Sequence, residues 1–80
     1  MYKFAGFEHF LERNEKNVLQ LTFSEIEKMI GQPLCYSAYH YSAYWHPSKT
    51  HNFANIIVEN GYIIEELDLE KQYVRLKKNS

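Results

Sequence analysis

The chain has 80 residues, and a domain of this size buries only about 60% of the surface that its unfolded chain exposes, so its core is thin. Nine Lys and Arg against ten Asp and Glu give a formal net charge of −1, which disfavours strong non-specific binding to a phosphate backbone. The single cysteine excludes an intramolecular disulfide, and no apolar run approaches the roughly 20 residues of a membrane span. We therefore expect one domain over residues 1–80, in the cytoplasm, with no membrane segment.

An amphipathic helix is the first predicted element. Its apolar residues recur at helical spacing, with charged residues on the opposite face; the apolar set is Phe4, Phe7, Phe10 and Leu11. A polar turn predicts the end of this helix near Asn14, and a short strand is predicted over residues 18–21.

The second predicted helix begins at the best local signal in the chain. Thr22 and Glu25 have the spacing of a capping box, in which each side chain accepts a hydrogen bond from the backbone N–H of the other. Leu21 and Ile26 have the spacing of a hydrophobic staple. Gly31 predicts the end of the helix.

A third helix and a terminal hairpin complete the predicted order. Ser48 or Thr50 is the expected N-cap of the third helix. Strand-forming residues on both sides of a polar turn at residues 70–71 predict a β-hairpin. The sequence thus predicts a small α+β fold in the order helix, strand, helix, helix, strand, strand, which is winged-helix-like, with a C-terminal β-hairpin.

Residues 36–45 form a near-repeat, Tyr-Ser-Ala-Tyr-His followed by Tyr-Ser-Ala-Tyr-Trp. Positions five apart face different directions on a helix or a strand, so we expect at least one copy to pack inward while the other points elsewhere. One hypothesis is that this segment and the start of the third helix bind a ligand, with rings stacking on a base and polar groups binding phosphate. The predicted ligand-binding residues are Tyr39, Tyr41, Tyr44, Trp45, His46, Ser48, Lys49, Thr50, His51 and Asn52, with Ser42 beside them. The alternative is that Tyr and Trp only brace a long loop over the core, and both can hold together.

Motifs spread from Phe7 to Leu76 carry a family resemblance. They are Leu21-Thr22-Phe23-Ser24-Glu25-Ile26-Glu27 with Ile30-Gly31, Ser37-Ala38-Tyr39, Tyr44-Trp45, Thr50-His51 with Ala54, Gly61-Tyr62 and Leu67-Asp68. In this combination the chain resembles an uncharacterised domain family of bacteria and their phages. The resemblance implies a bacterial or phage origin, with the cytoplasm of the host cell as the location if a phage encodes the protein. It implies no activity, cofactor or ligand.

Metal binding and catalysis are not predicted. Cys35, His40, His46 and His51 include the residue types that bind zinc, but their spacing matches no standard zinc finger. Cys35 with a histidine lacks a recognisable third orienting group or oxyanion motif. We expect no enzyme activity, no metal and no cofactor.

A DNA-reading winged helix would present polar residues from its third helix and cations from its hairpin. The third-helix candidates are Lys49, Asn52, Asn55 and Asn60, with Glu59 opposing phosphate. The hairpin candidates are Lys71, Arg75, Lys77 and Lys78. This set predicts weak or dimer-assisted binding at most.

The preferred hypothesis is a non-enzymatic phage or bacterial module that binds a nucleotide or nucleic acid through the aromatic and polar segment. The alternative is a small phage-encoded inhibitor of a host defence protein, whose exposed Tyr and Trp contact that protein. A structural or oligomerisation domain is the third possibility. A homodimer is also expected, because domains with thin cores often self-associate.

Overall fold

Four α-helices and three strands build residues 4–49 and 52–79, the part of the chain that the computed structural model describes. The elements are α1 (Ala5–Arg13), β1 (Val18–Thr22), α2 (Phe23–Ile30), α3 (Tyr36–His40), a 3₁₀ helix (Ser42–Trp45), α4 (Asn52–Glu59), β2 (Tyr62–Asp68) and β3 (Tyr73–Lys78). The predicted α+β class, the helix–strand–helix order and the C-terminal hairpin are confirmed. The two short helices within residues 36–45 were not predicted.

The sheet joins β1 to the C-terminal hairpin. Its strands are antiparallel in the order β1-β3-β2, so the last strand lies in the centre. β1 pairs with β3 from Val18 opposite Lys77 to Thr22 opposite Tyr73. The C-terminal hairpin is thereby fixed to the start of α2.

The capping box and the end predicted for α2 are confirmed. Glu25 N–H donates to Thr22 Oγ1 over 3.1 Å, and Thr22 N–H donates to Glu25 Oε1 over 2.8 Å. Leu21 and Ile26 are both buried. Gly31 ends the helix in the left-handed conformation, with φ of 75°, which costs a glycine little because it has no Cβ.

The core lies between the helices and one face of the sheet, and aromatic rings fill much of it. Its largest fully buried side chains are Trp45, Tyr62, Phe7, Phe23 and Phe53. Phe53 of α4 stacks on Phe7 of α1, with ring centroids 4.8 Å apart. Large rings supply much apolar area per residue, which suits a short chain with a small core.

Candidate functional site

Trp45 is the residue that fixes the near-repeat segment to the core. Its side chain is only 2% exposed, and its ring stacks on Phe23 with centroids 5.1 Å apart. The indole N–H donates to the carbonyl oxygen of Ala38 over 2.9 Å, so the 3₁₀ helix is tied to α3. Because the ring lies almost entirely against the protein, Trp45 can offer a ligand only the small exposed part of its side chain.

Tyr39 and Tyr44 also hold the segment down. The hydroxyl of Tyr39 donates to Glu27 Oε2 over 2.6 Å, and this hydrogen bond, together with burial, raises the pKa of Tyr39 to about 12. Tyr44 is half-buried, and its ring stacks on Phe53. Burial, followed by the neighbouring thiol of Cys35, raises the pKa of Tyr44 well above its ordinary value. Both residues were predicted to contact a ligand, and both lie mainly against the protein.

A different set of rings is exposed. Tyr36 and Tyr41 are 67% and 56% exposed, and Tyr36 stacks on His40 with centroids 4.0 Å apart and planes 25° apart. The rings of Tyr36 and Tyr41 lie 6.1 Å apart in an edge-on arrangement. We call Tyr36, His40 and Tyr41 the exposed aromatic cluster. Only Tyr41 was predicted; the signal for the other two was their spacing of four residues, which places them on one face of a helix.

The two copies of the near-repeat agree at some positions and differ at others. The first tyrosine is exposed and the fourth position half-buried in both copies, whereas the third and fifth positions exchange buried and exposed roles. The buried members of the exchanged pairs are Ala38 and Trp45, and the exposed ones are Ala43 and His40. The copies therefore differ in surface, as expected, but neither packs inward as a whole.

The remaining predicted site residues lie between the 3₁₀ helix and α4. His46, Ser48, Lys49 and Asn52 are exposed. The side-chain amide of Asn55 in α4 donates to the carbonyl oxygen of Ser48 over 2.7 Å, which holds this connection against the helix. Thr50 and His51, including the possible N-cap at Thr50, lie outside the described residues.

Charge is distributed unevenly along the chain. All ten acidic residues lie outside residues 28–58, whereas this stretch contains Lys28, Lys49 and three histidines. We call residues 28–58 the acid-free segment. Glu27, just before it, already accepts hydrogen bonds from Tyr39 and from the backbone N–H of Leu34. An anion approaching the exposed aromatic cluster therefore meets no carboxylate from the same stretch of chain.

A groove of about 330 Å³ opens between the 3₁₀ helix and β2. The lining residues are Ser42, Trp45, His46 and Pro47 on one side and Ile64 and Leu67 on the other. Ser42 directly follows Tyr41, so the first lining residue of the groove is next in the chain to the exposed aromatic cluster. A second depression of about 400 Å³ lies on α1 and includes His9, Phe10 and Arg13.

A β-bulge in β2 builds the far wall of the groove. Ile64 pairs with Leu76, but the next pair joins Glu66 to Arg75, so Glu65 is an extra residue. An extra residue resets the alternation of side chains along a strand. Leu67 consequently faces the same side as Ile64, and the Glu66 carboxylate faces outward, 2.8 Å from the Arg75 guanidinium.

Within residues 4–49 and 52–79, no three His, Cys, Asp or Glu side chains come together as metal ligands would. The lone cysteine, Cys35, is exposed. Over the same residues, none of the helices has the length and apolar character needed to cross a membrane.

Comparison with known proteins places the chain in a family. Residues 4–79 match the model of a domain of unknown function (DUF7662). The chain therefore belongs to this family, which confirms the resemblance to an uncharacterised small domain. No curated protein and no solved structure matches it.

Proposed function

We propose that this domain is a non-enzymatic binding module whose ligand is a nucleotide or a nucleic acid. The observation that carries the proposal is the exposed aromatic cluster within the acid-free segment. Exposed rings bind bases by stacking, and the stretch of chain that carries these rings contributes no carboxylate to repel phosphate. Stacking of one base on an aromatic side chain contributes about 1–3 kcal/mol, so two tyrosines can support measurable binding.

The phosphate contribution is expected to be small. Lys49 is exposed near the start of α4, and Lys28 is exposed in α2, while the whole chain carries a net charge of −1. Two phosphate contacts on a single strand correspond to a slope of about −1.4 in a plot of log K against log salt concentration. Stacking therefore outweighs electrostatics in the proposed complex.

The hydrogen bonds of the asparagines in and just after α4 argue against insertion of this helix into a DNA groove. The amide of Asn55 donates to Ser48, and that of Asn60 donates to Ile56 and Glu8. Reading a base edge requires free amide groups on the helix face. Of the three asparagines predicted to contact bases, Asn55 and Asn60 already donate hydrogen bonds within the protein.

Fluorescence anisotropy with short labelled oligonucleotides, single-stranded and duplex, tests the proposal. Tyr36→Ala and Tyr41→Ala should each weaken binding by about tenfold or more, whereas Tyr41→Phe keeps the ring and should bind like the wild type. Fluorescence of Trp45, the only tryptophan, reports whether each variant retains its core. Unchanged affinity in both alanine variants would contradict the proposed site.

A protein partner is the second candidate, favoured by the same two tyrosines. Tyrosine is enriched at the energetic centres of protein interfaces, and Tyr36 and Tyr41 are exposed side by side. A small phage-encoded inhibitor of a host defence protein would present such a surface. Absence of oligonucleotide and mononucleotide binding by the folded wild type would favour this candidate.

A further inference from the structure

The groove between the 3₁₀ helix and β2 has the dimensions of a small-ligand site. Its volume of about 330 Å³ lies at the lower end of the range for small-molecule pockets, about 300–1,000 Å³. Pro47 and the small exposed part of Trp45 lie on one side of it, and Ile64 and Leu67 lie on the other. Two apolar walls of this kind suit a flat ring rather than an α-helix, whose diameter with side chains is about 10–12 Å.

The bulge at Glu65 keeps the Glu66 carboxylate out of this groove. In a strand that continued in simple alternation from Ile64, Glu66 would face the groove and Leu67 would face away. The extra residue reverses this, because Leu67 pairs with the buried Val74 and Glu66 pairs with Arg75 on the outer face. The wall that β2 contributes is therefore apolar, although the strand contains two consecutive glutamates.

The opposite wall belongs to the acid-free segment and carries polar groups at the rim. Ser42 and His46 line the groove and are exposed, and Ser42 offers a hydroxyl. A hydroxyl can hydrogen-bond the edge of a heterocycle whose faces contact apolar side chains. Tyr41 precedes Ser42 and is exposed, so its ring can stack on the next base of the same nucleic-acid strand.

We propose that the groove receives one unpaired nucleobase, which narrows the ligand class to nucleic acid with unpaired bases. The inference rests on the proposed function, and it adds a second base site to the exposed aromatic cluster. A base in a duplex remains in its stack and cannot enter the groove without the cost of flipping out, a few kcal/mol. The domain is therefore expected to bind a single strand at least about tenfold more tightly than a duplex of the same sequence.

A pair of matched variants on β2 tests the groove. Leu67→Glu places a carboxylate inside it, and Ile63→Glu makes the same charge change on the outer face of the same strand, where Ile63 is 42% exposed. Leu67→Glu should weaken binding of a labelled single strand by about tenfold or more, because a bound base would bury the carboxylate without a partner. Ile63→Glu should remain within about twofold of the wild type, since an exposed charge is screened by solvent.

A third variant covers the case in which Leu67→Glu does not fold. Ser42→Leu fills the groove from its exposed rim without adding charge, and it should also weaken single-strand binding. If folded Leu67→Glu and Ser42→Leu both bind like the wild type while Tyr41→Ala does not, the groove inference is overturned and the proposed function stands. If the folded wild type binds a mononucleotide but no oligonucleotide, the groove inference alone is overturned, and if it binds neither, both are overturned.

Methyl resonances give a direct readout of occupancy. Adenosine 5′-monophosphate should shift the methyl signals of Ile64 and Leu67 through the ring current of its base, and ribose 5-phosphate should not. Equal responses to the two compounds, or no response to either, would overturn base binding in the groove.

Discussion

One carboxylate joins three segments at the base of the exposed aromatic cluster. Glu27 Oε2 accepts hydrogen bonds from the Tyr39 hydroxyl over 2.6 Å and from the Leu34 N–H over 2.8 Å. It thereby links α2 to the connection that follows and to α3. Hydrogen bonds to a charged group typically contribute about 1.5–3 kcal/mol, so this junction is expected to hold α3 in place.

Tyr39→Phe removes one of these hydrogen bonds and keeps the ring. We expect the free energy of unfolding to fall by about 1–2 kcal/mol, because the Tyr39 ring is only partly buried and solvent can replace the lost donor. Urea denaturation followed by Trp45 fluorescence measures the change. Tyr41→Phe is the control, since it removes a hydroxyl from a ring that is 56% exposed. Equal stability in the two variants would contradict the role assigned to Glu27.

Alkaline pH should weaken the same junction between Tyr39 and Glu27. The pKa of Tyr39 is about 12 in the folded chain against an ordinary value of 10.0, so the folded state favours the protonated hydroxyl. This contribution to stability is complete below about pH 10 and is lost as pH rises through about 12. Ultraviolet titration of tyrosinate should show Tyr39 and Tyr44 ionising above the ordinary tyrosine pKa of 10.0. Tyr39→Phe should remove part of this high-pH signal, and an unchanged titration curve would contradict the assignment.

At the scale of the element, helices α1 and α2 approach closely at Gly6. A Cβ at this position would overlap the carbonyl oxygen of Met29, and a backbone atom cannot rotate aside. Gly6→Ala should therefore force the helices apart. Overpacking of this kind costs about 1–3 kcal/mol, and alanine gains about 1 kcal/mol in helix propensity. Because the overlap involves a backbone atom, we expect the cost to exceed the gain and the free energy of unfolding to fall.

Gly31→Ala is the matched control for Gly6→Ala. Nothing lies within 4 Å of a Cβ at Gly31, but its φ of 75° disfavours alanine, so a loss of about 1 kcal/mol is expected without any change in packing. Thermal unfolding measures both losses, and amide chemical shifts locate them. Shifts spread across α1 and α2 in Gly6→Ala, but confined to the helix end in Gly31→Ala, are the expected result.

Elements defined by neighbouring residues could be predicted from the sequence, whereas those defined by distant partners could not. The capping box of α2 depends on residues three apart, so it could be recognised directly. Helix α3 has five residues, too few to show an apolar period, and it is held by the indole of Trp45 bonded to Ala38. The bulge at Glu65 exists only relative to β3, and nothing in β2 alone indicates it.

The same limit applies to the predicted site. Aromatic type indicated that residues 36–45 mix core and surface, but not which ring has which role. Trp45 was among the predicted ligand-binding residues and is buried, whereas Tyr36 was not among them and is 67% exposed. These assignments depend on the 3₁₀ helix and on the position of Phe23, which the local pattern does not specify.

At the scale of the whole molecule, charge separates two possible nucleic-acid surfaces. The exposed Lys49 belongs to the acid-free segment, whereas the exposed Lys71 lies in the hairpin turn, where a winged helix would contact DNA. Asp68 Oδ1 accepts a hydrogen bond from the Lys71 N–H, and β2 carries further carboxylates. The hairpin is thus the less favourable surface for phosphate.

Salt dependence of binding should distinguish these two surfaces. Each phosphate contact on a single strand contributes about −0.7 to the slope of log K against log salt concentration, so Lys49→Ala should make the slope shallower by about that amount, and Lys71→Ala should leave it unchanged. Anisotropy titrations of both variants across a salt series measure the slopes. The opposite result, a shallower slope only in Lys71→Ala, would transfer binding to the hairpin and contradict the surface around the exposed aromatic cluster. Because both changes remove one exposed positive charge, they alter the net charge equally, and only the position of the lysine can cause a difference between them.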